Sequence, residues 1–294
     1  MKQIYIYKLF ISAVLFLSFL LVSCGKDETP AASPVAGLTK IQEFTDANYT
    51  VTAWNEAGQW RLGYTKVYFT VQNKNGDFVE DAGLTAFPEM DMGMGMRHST
   101  PRSEITKVAG KPLYEAYYSF LMYSGQGDGT WYYDLSYTTG SAAGSFDDVV
   151  IDVKNAFRLD GNTPRKVIQT VVAADGSGKR YVISLVEPQH PAVGSNEITV
   201  YVHGREDANT YPEVAGFKLK LDPRMPSMEN HSSPNNEDLS WDSAGRVYRG
   251  RVNFSMTGYW KLNLILQNSP GETLYGNAVT DDIEASSLFF EVEF

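Results

Sequence analysis

Thiols are almost missing from this chain: Cys24 is the only cysteine in 294 residues. One cysteine excludes an internal disulfide and any zinc site built on several thiolates. Histidine is scarce too, at four residues, so a Ser/His/Asp arrangement has little to draw on. No nucleophile elbow occurs, and "DGSGKR" (175–180) lacks the spacing of a phosphate-binding loop. "NKNGDFVED" (73–81) lacks the glutamate-terminated pattern of a calcium loop and reads as a hairpin turn. Positive charge is outnumbered, 25 Lys and Arg against 35 Asp and Glu, giving a net charge of −10 and arguing against a nucleic-acid partner. Acidic residues are too plentiful for one pair to stand out as acid and base, so the residues give an enzyme no positive support. Amphipathic helical periodicity is also missing.

At the N-terminus, Lys2 and Lys8 precede an apolar run from Leu9 to Val22, too short for a comfortable membrane span. The run ends in Leu21-Val22-Ser23-Cys24-Gly25, the pattern of a lipoprotein signal. Residues 1–23 are therefore expected to be a leader, with a lipid on Cys24 holding the protein to a membrane. Residues 24–36 read as a flexible Pro/Ala-rich tether. Its Lys26-Asp27-Glu28 is similar to the tag on some surface-exported lipoproteins. The expected location is the cell envelope, as an outer-membrane lipoprotein facing either the surface or the periplasm.

The remainder reads as all-β. "YTVTAW" (49–54), "KVYFTVQ" (66–72), "TWYYDLSY" (130–137), "EITVYVHG" (197–204) and "YWKLNLIL" (259–266) alternate with period two and are rich in β-branched and aromatic residues. Turn signals such as Asn75-Gly76-Asp77 and Asp160-Gly161-Asn162 separate them. The chain also repeats. "GYTKVYFTVQ" parallels "GSNEITVYVHG", and "LYEAYYSFLMYSGQGDGTWYYDLSY" (113–137) parallels "VYRGRVNFSMTGYWKLNLIL" (247–266). Tyr114 to Met122 and Tyr248 to Met256 both span eight positions. The expectation is two tandem immunoglobulin-like β-sandwich domains, 37–157 and 165–294, joined by a linker at 158–164.

Within this frame the methionines are unevenly placed. After Met1, six of the remaining eight fall in "MDMGMGMRH" (90–98) or "MPSMENH" (225–231), beside two of the four histidines. Met122 and Met256 occupy matching places in the repeat. Thioether sulfur is a soft, neutral donor that favours Cu(I), and imidazole serves copper in either oxidation state. Methionine needs no deprotonation to bind, and it escapes the disulfide chemistry that would consume cysteine outside the cytoplasm. Met225, Met228 and His231 are expected to curl round one ion, completed by Met256. In the first module an extended backbone would put Met90, Met92, Met94, Met96 and His98 on one face. Steps of about 7 Å would then let only two or three reach one ion, with Met122 as cross-strand partner.

"RMPSMENH" followed by "VYRGRVNFSMTGYWKLNLIL" resembles the YtkA-like and FixH-like extracytoplasmic sandwich domains. The resemblance rests on Met225, Met228, His231, Tyr248, Gly250, Phe254, Met256, Gly258 and Trp260, over roughly 194–267, with a weaker echo across 63–137. It implies an immunoglobulin-like fold and a role in copper binding or in maturing copper enzymes, and the expected partner is a copper-receiving or copper-donating protein. The first module departs from the pattern in its methionine spacing of two and in the longer "SGQGDGTW" (124–131) link.

Two blander readings stand beside this one. Methionine is a flexible core filler, and taken alone Met256 reads as a core residue. His98 and His231 read equally as turn caps, while His190 and His203 read as loop and strand-end residues and not as ligands. The Met-rich loops would also suit an apolar contact patch for a protein or glycan partner, or a purely structural surface lipoprotein.

Overall fold

Strand Thr130–Thr139 shows how the sequence builds this molecule. Trp131, Tyr133, Leu135, Tyr137 and Thr139 alternate inward while their neighbours face out, the period-two pattern of a half-buried strand. The computed structural model describes residues 33–140 and 142–294. The expected leader, Cys24 and residues 24–32 of the 24–36 tether lie outside the described residues.

In the first half the strands are β1 (Thr39–Thr45), β2 (Tyr49–Asn55), β3 (Trp60–Arg61), β4 (Gly63–Asn73) and β5 (Ala82–Asp91). Then come β6 (Arg97–His98), β7 (Thr106–Lys107), β8 (Tyr114–Phe120), β9 (Thr130–Thr139), β10 (Ala142–Ile151) and β11 (Val153–Lys154). The second half holds β12 (Ile168–Val172), β13 (Arg180–Glu187), β14 (Gly194–Arg205), β15 (Lys218–Met225) and β16 (His231–Ser232). It ends with β17 (Glu237–Asp242), β18 (Val247–Phe254), β19 (Tyr259–Gln267), β20 (Thr273–Tyr275) and β21 (Leu288–Glu293).

The first half is a sandwich of two sheets, β1-β2-β4-β8-β7 facing β10-β9-β5-β6. Apart from the extra β1, this is the immunoglobulin order: four strands A-B-E-D over G-F-C and an added edge strand. The second half follows the same order, β12-β13-β14-β18-β17 and β20-β19-β15, with β16 on β15 and β21 on β19. Here β17 pairs with both β18 and β15, so the two faces join into one curled sheet. The fold is thus all-β, of immunoglobulin-like sandwich construction.

Residues Gly37–Phe294 form one compact unit. Its apolar side chains nevertheless gather into two cores, one running from Phe44 to Val153 and the other from Val171 to Val292. Each core is centred on tryptophan and tyrosine: Trp60, Trp131 and Tyr133 in the first, Tyr248 and Trp260 in the second, all essentially without solvent contact. A shared tyrosine hydrogen bond closes each sandwich. Tyr114 Oη accepts from the Ala82 amide and donates to the Glu80 carbonyl; Tyr248 Oη accepts from the Phe217 amide and donates to the Val214 carbonyl.

The two halves meet through β4 and β8 on one side and β13 and β14 on the other. Tyr117 stacks on Tyr201 with ring centroids 4.4 Å apart, and Tyr64 lies beside both. Buried Ser119 and Ser184 share a hydroxyl hydrogen bond of 3.0 Å. The 158–164 segment is tied down on the second half: Arg158 pairs with Glu291 at 2.9 Å, and the Leu159 amide donates to Glu293. His203, read from the sequence as a strand-end residue, is only 1% exposed in this interface. Its Nε2 lies 3.2 Å from Tyr117 Oη, its Nδ1 has no partner, and burial holds its pKa down to about 4.

Candidate metal centre

The register of the sheets decides which sulfurs can meet. Met90, near the end of β5, lies opposite His98 on β6 and opposite Trp131 on β9. Directly opposed residues share a sheet face with Cβ atoms about 5 Å apart, so these three form one row on the inner face. Met92 continues past the strand end, and Met122 arrives from the turn between β8 and β9.

Glycine at positions 127 and 129 makes room for them. A Cβ added at Gly129 would lie 2.2 Å from the Met90 methyl, 2.7 Å from Met92 Sδ and 3.2 Å from Met90 Sδ, so both thioethers lie against this glycine. A Cβ at Gly127 would lie 3.0 Å from the Met92 methyl and 3.9 Å from the Met122 methyl. The Met122 backbone is fixed by Trp131, whose indole Nε1 donates to the Met122 carbonyl at 2.9 Å. Met90, Met92 and Met122 thereby converge on one short turn.

His98 stands opposite Met90 on β6. Its Nδ1 lies 2.9 Å from the Ser99 carbonyl, and a carbonyl only accepts, so Nδ1 carries the hydrogen and the Nε2 lone pair is left for another partner. That is the arrangement in which ligating histidines are usually held, one nitrogen donating to a carbonyl and the other facing the ion. Burial lowers the imidazole pKa, which favours the neutral, ligating form. Its ring also stands edge-on to Trp131 at 5.6 Å.

The rest of the Met-rich run is not extended. Gly93, Met94 and Gly95 all have positive φ, and Met92 N–H bonds back to the Met96 carbonyl at 2.9 Å. The run is a β5–β6 hairpin, pinned by Arg97 between Glu89 and Asp91. The expectation of one face bearing four sulfurs is corrected accordingly. The two glycines supply the left-handed turn that a continuous strand would forbid. Met94, at the apex, is 95% exposed, and Met96 is 56% exposed. Neither is among the nearest neighbours of Gly127 or Gly129.

The second half repeats the scheme. Met225, at the end of β15, lies opposite His231 on β16. Its methyl reaches within 2.5 Å of where a Cβ on Gly258 would sit, as Met90 does at Gly129. Gly258 precedes Trp260 by two residues, as Gly129 precedes Trp131, and Trp260 Nε1 donates to the Met256 carbonyl at 3.1 Å. Met225 is buried, whereas Met228 is 49% exposed on a short 3-10 turn (Pro226–Met228) beside β19. Met256 is 37% exposed, so it is not the core residue its sequence context suggests: the turn after β18 lifts it to the rim. His231 is exposed as well. The second group is therefore open to solvent on one side, and the first is more enclosed.

Sequence reasoning missed what the glycines do. Gly129 and Gly258 leave the space that the buried methionines enter, and the only signal for this was the paired Gly-x-Trp spacing. Among the described residues, no group of three or more His, Cys, Asp or Glu gathers as a hard-ligand metal site would. The donors present are thioether and imidazole. Thioether and neutral imidazole are donors of the softness and charge that Cu(I) prefers, and Met90, Met92, Met122 and His98 are of these types.

No curated protein sequence matches the chain. Among solved structures it is similar to FdeC, an Escherichia coli adhesin, at 13% identity and a TM-score of 0.23, covering 82% of this chain and 81% of that chain. Residues 177–264, which span β13 to Leu264 of β19 and include Met225, Met228, His231, Met256, Gly258 and Trp260, match the family model described as YtkA-like.

Proposed function

We propose that this is a lipid-anchored protein of the cell envelope that binds Cu(I) at one methionine–histidine group per half. It holds the ion for buffering or for transfer to a partner protein and performs no catalysis. In this reading the 37–157 and 165–294 segments are two copies of one YtkA-like, FixH-like module. Met90, Met92, Met122 and His98 serve the first, and Met225, Met228, Met256 and His231 serve the second. Lipid on Cys24 provides the membrane attachment.

One observation carries the reading. In each half a methionine at a strand end faces a histidine on the neighbouring strand and enters the space left by the glycine of Gly-x-Trp. In each, the tryptophan indole then holds the backbone of a second methionine. A core needs an apolar side chain at these places but has no need of sulfur beside imidazole, and leucine would fill the volume as well.

The test is competition for Cu(I) between the protein and a chromogenic chelator, run on the wild type and on Met225→Leu/Met228→Leu/His231→Ala. Leucine keeps the apolar volume and removes the donor. Loss of about one bound ion per chain supports the assignment, whereas unchanged uptake ends it for the second half.

A further inference from the structure

We propose that the cleft between the two halves is a binding site for a small oxyanion, a phosphate, sulfate or short carboxylate, gripped by Arg61 from the first half and Arg165 from the second. This is independent of the copper reading and involves none of its residues. The cleft holds about 270 Å³ and is lined by Gln59, Arg61, Asn155, Arg165 and Gln189 together with apolar groups. No carboxylate lines it.

Neither guanidinium group forms an ion pair among the described residues. The side chain of Arg165 forms no ion pair there, and its Nε is buried with no hydrogen-bond partner. Arg61 Nε and Nη2 each lie 2.7 Å from the Gln59 amide atom that hydrogen bonding makes the oxygen, which orients the fork without neutralising it. The two arginines repel one another, and burial lowers both pKa values. The acids whose charge reaches Arg165 stand beyond ion-pair distance of it and bond to other groups. Glu291 accepts from Arg158, Tyr259 and the Lys166 amide, and Glu293 from the Leu159 amide.

Partly desolvated like charges destabilise a fold unless something supplies the opposite charge. In a chain of net charge −10 this cleft is a local exception. Guanidinium forks suit oxyanions, which accept two parallel N–H bonds from each, and the amides of Gln59, Asn155 and Gln189 can donate to further oxygens. The volume is at the small end for ligand sites, which fits an oxyanion with few carbons and excludes a polymer. Such a ligand would bridge the halves, because its two cations come from opposite sides of the interface.

Thermal unfolding of the purified full-length chain tests this, in inorganic phosphate, sulfate or acetate against chloride at matched ionic strength. A ligand at about one hundred times its dissociation constant raises the melting temperature by roughly 5–10 °C for a protein of this size. Comparing the three probes separates tetrahedral from planar oxyanions. Arg61→Gln and Arg165→Gln are expected to melt no lower than the wild type in chloride, since a neutral amide relieves the repulsion. They should lose the anion-dependent rise, with at least a tenfold weaker midpoint. Should Arg165→Gln fail to fold, Arg61→Gln carries the same comparison. No rise with any of the three anions in the wild type, or a rise retained in the variants, overturns the assignment.

Discussion

Replacing Gly129 with alanine separates the ligand role of the first methionine group from its packing role. Gly129 has φ −75° and ψ 142°, a conformation alanine adopts without strain. The new methyl would nevertheless stand 2.2 Å from the Met90 methyl, 2.7 Å from Met92 Sδ and 3.2 Å from Met90 Sδ, so both side chains must move. Both are far ends of flexible side chains. Overpacking of this kind costs about 1–3 kcal/mol, offset by about 0.4–1 kcal/mol from the smaller entropy of the unfolded chain. At roughly 2–4 °C per kcal/mol, the melting temperature falls by less than about 10 °C. The sulfurs, however, can no longer keep their places against residue 129. Competition with a Cu(I) chelator should then show one ion bound at wild-type affinity in place of two, in a protein that still folds. Two ions bound by Gly129→Ala at undiminished affinity would refute the idea that Met90 and Met92 act together as ligands.

Other outcomes follow from the same geometry. Met94→Leu/Met96→Leu should leave Cu(I) affinity within about twofold of wild type by the same competition, because both side chains stand in solvent at the hairpin apex. Burial holds His203 down to about 4 from its ordinary 6.5, so the unfolded chain binds this proton more readily than the folded one. Its contribution is complete above pH 6.5 and is lost as pH falls toward 4, on the order of 3 kcal/mol in all. Thermal melts at pH 7 and 4.5 should show a smaller acid-induced drop in His203→Gln than in the wild type; equal drops would contradict this. Because burial favours the neutral form of His98, Cu(I) uptake by Met90, Met92, Met122 and His98 should persist below pH 6.5, measured in the Met225→Leu/Met228→Leu/His231→Ala background.

Much of the fold was legible because it is local. The alternation in "TWYYDLSY" and "YWKLNLIL" decides which side chains face inward, and the matched Tyr114–Met122 and Tyr248–Met256 intervals become matched hydrogen bonds in space. The candidate site was legible in composition and less so in shape. A run with period two reads as a strand, yet Gly93 and Gly95 turn it back on itself, so Met94 and Met96 separate from Met90. Met256 looks like a core residue in "FSMTGYW" because its strand is apolar, but the following turn carries it to the rim. What sequence could not reveal depends on long-range contact. His203 is buried by Tyr117 from the other half, and Arg61 meets Arg165 only because the two sandwiches pack together. No periodicity or spacing reports such a meeting.

X-ray absorption at the copper edge of the Cu(I)-loaded full-length chain addresses the central claim most directly, since it counts the atoms bound to the metal. The account predicts a shell dominated by sulfur, close to three thioethers and one imidazole nitrogen per ion. A shell of nitrogen and oxygen alone would contradict it, leaving the methionines as packing beneath two sandwich edges.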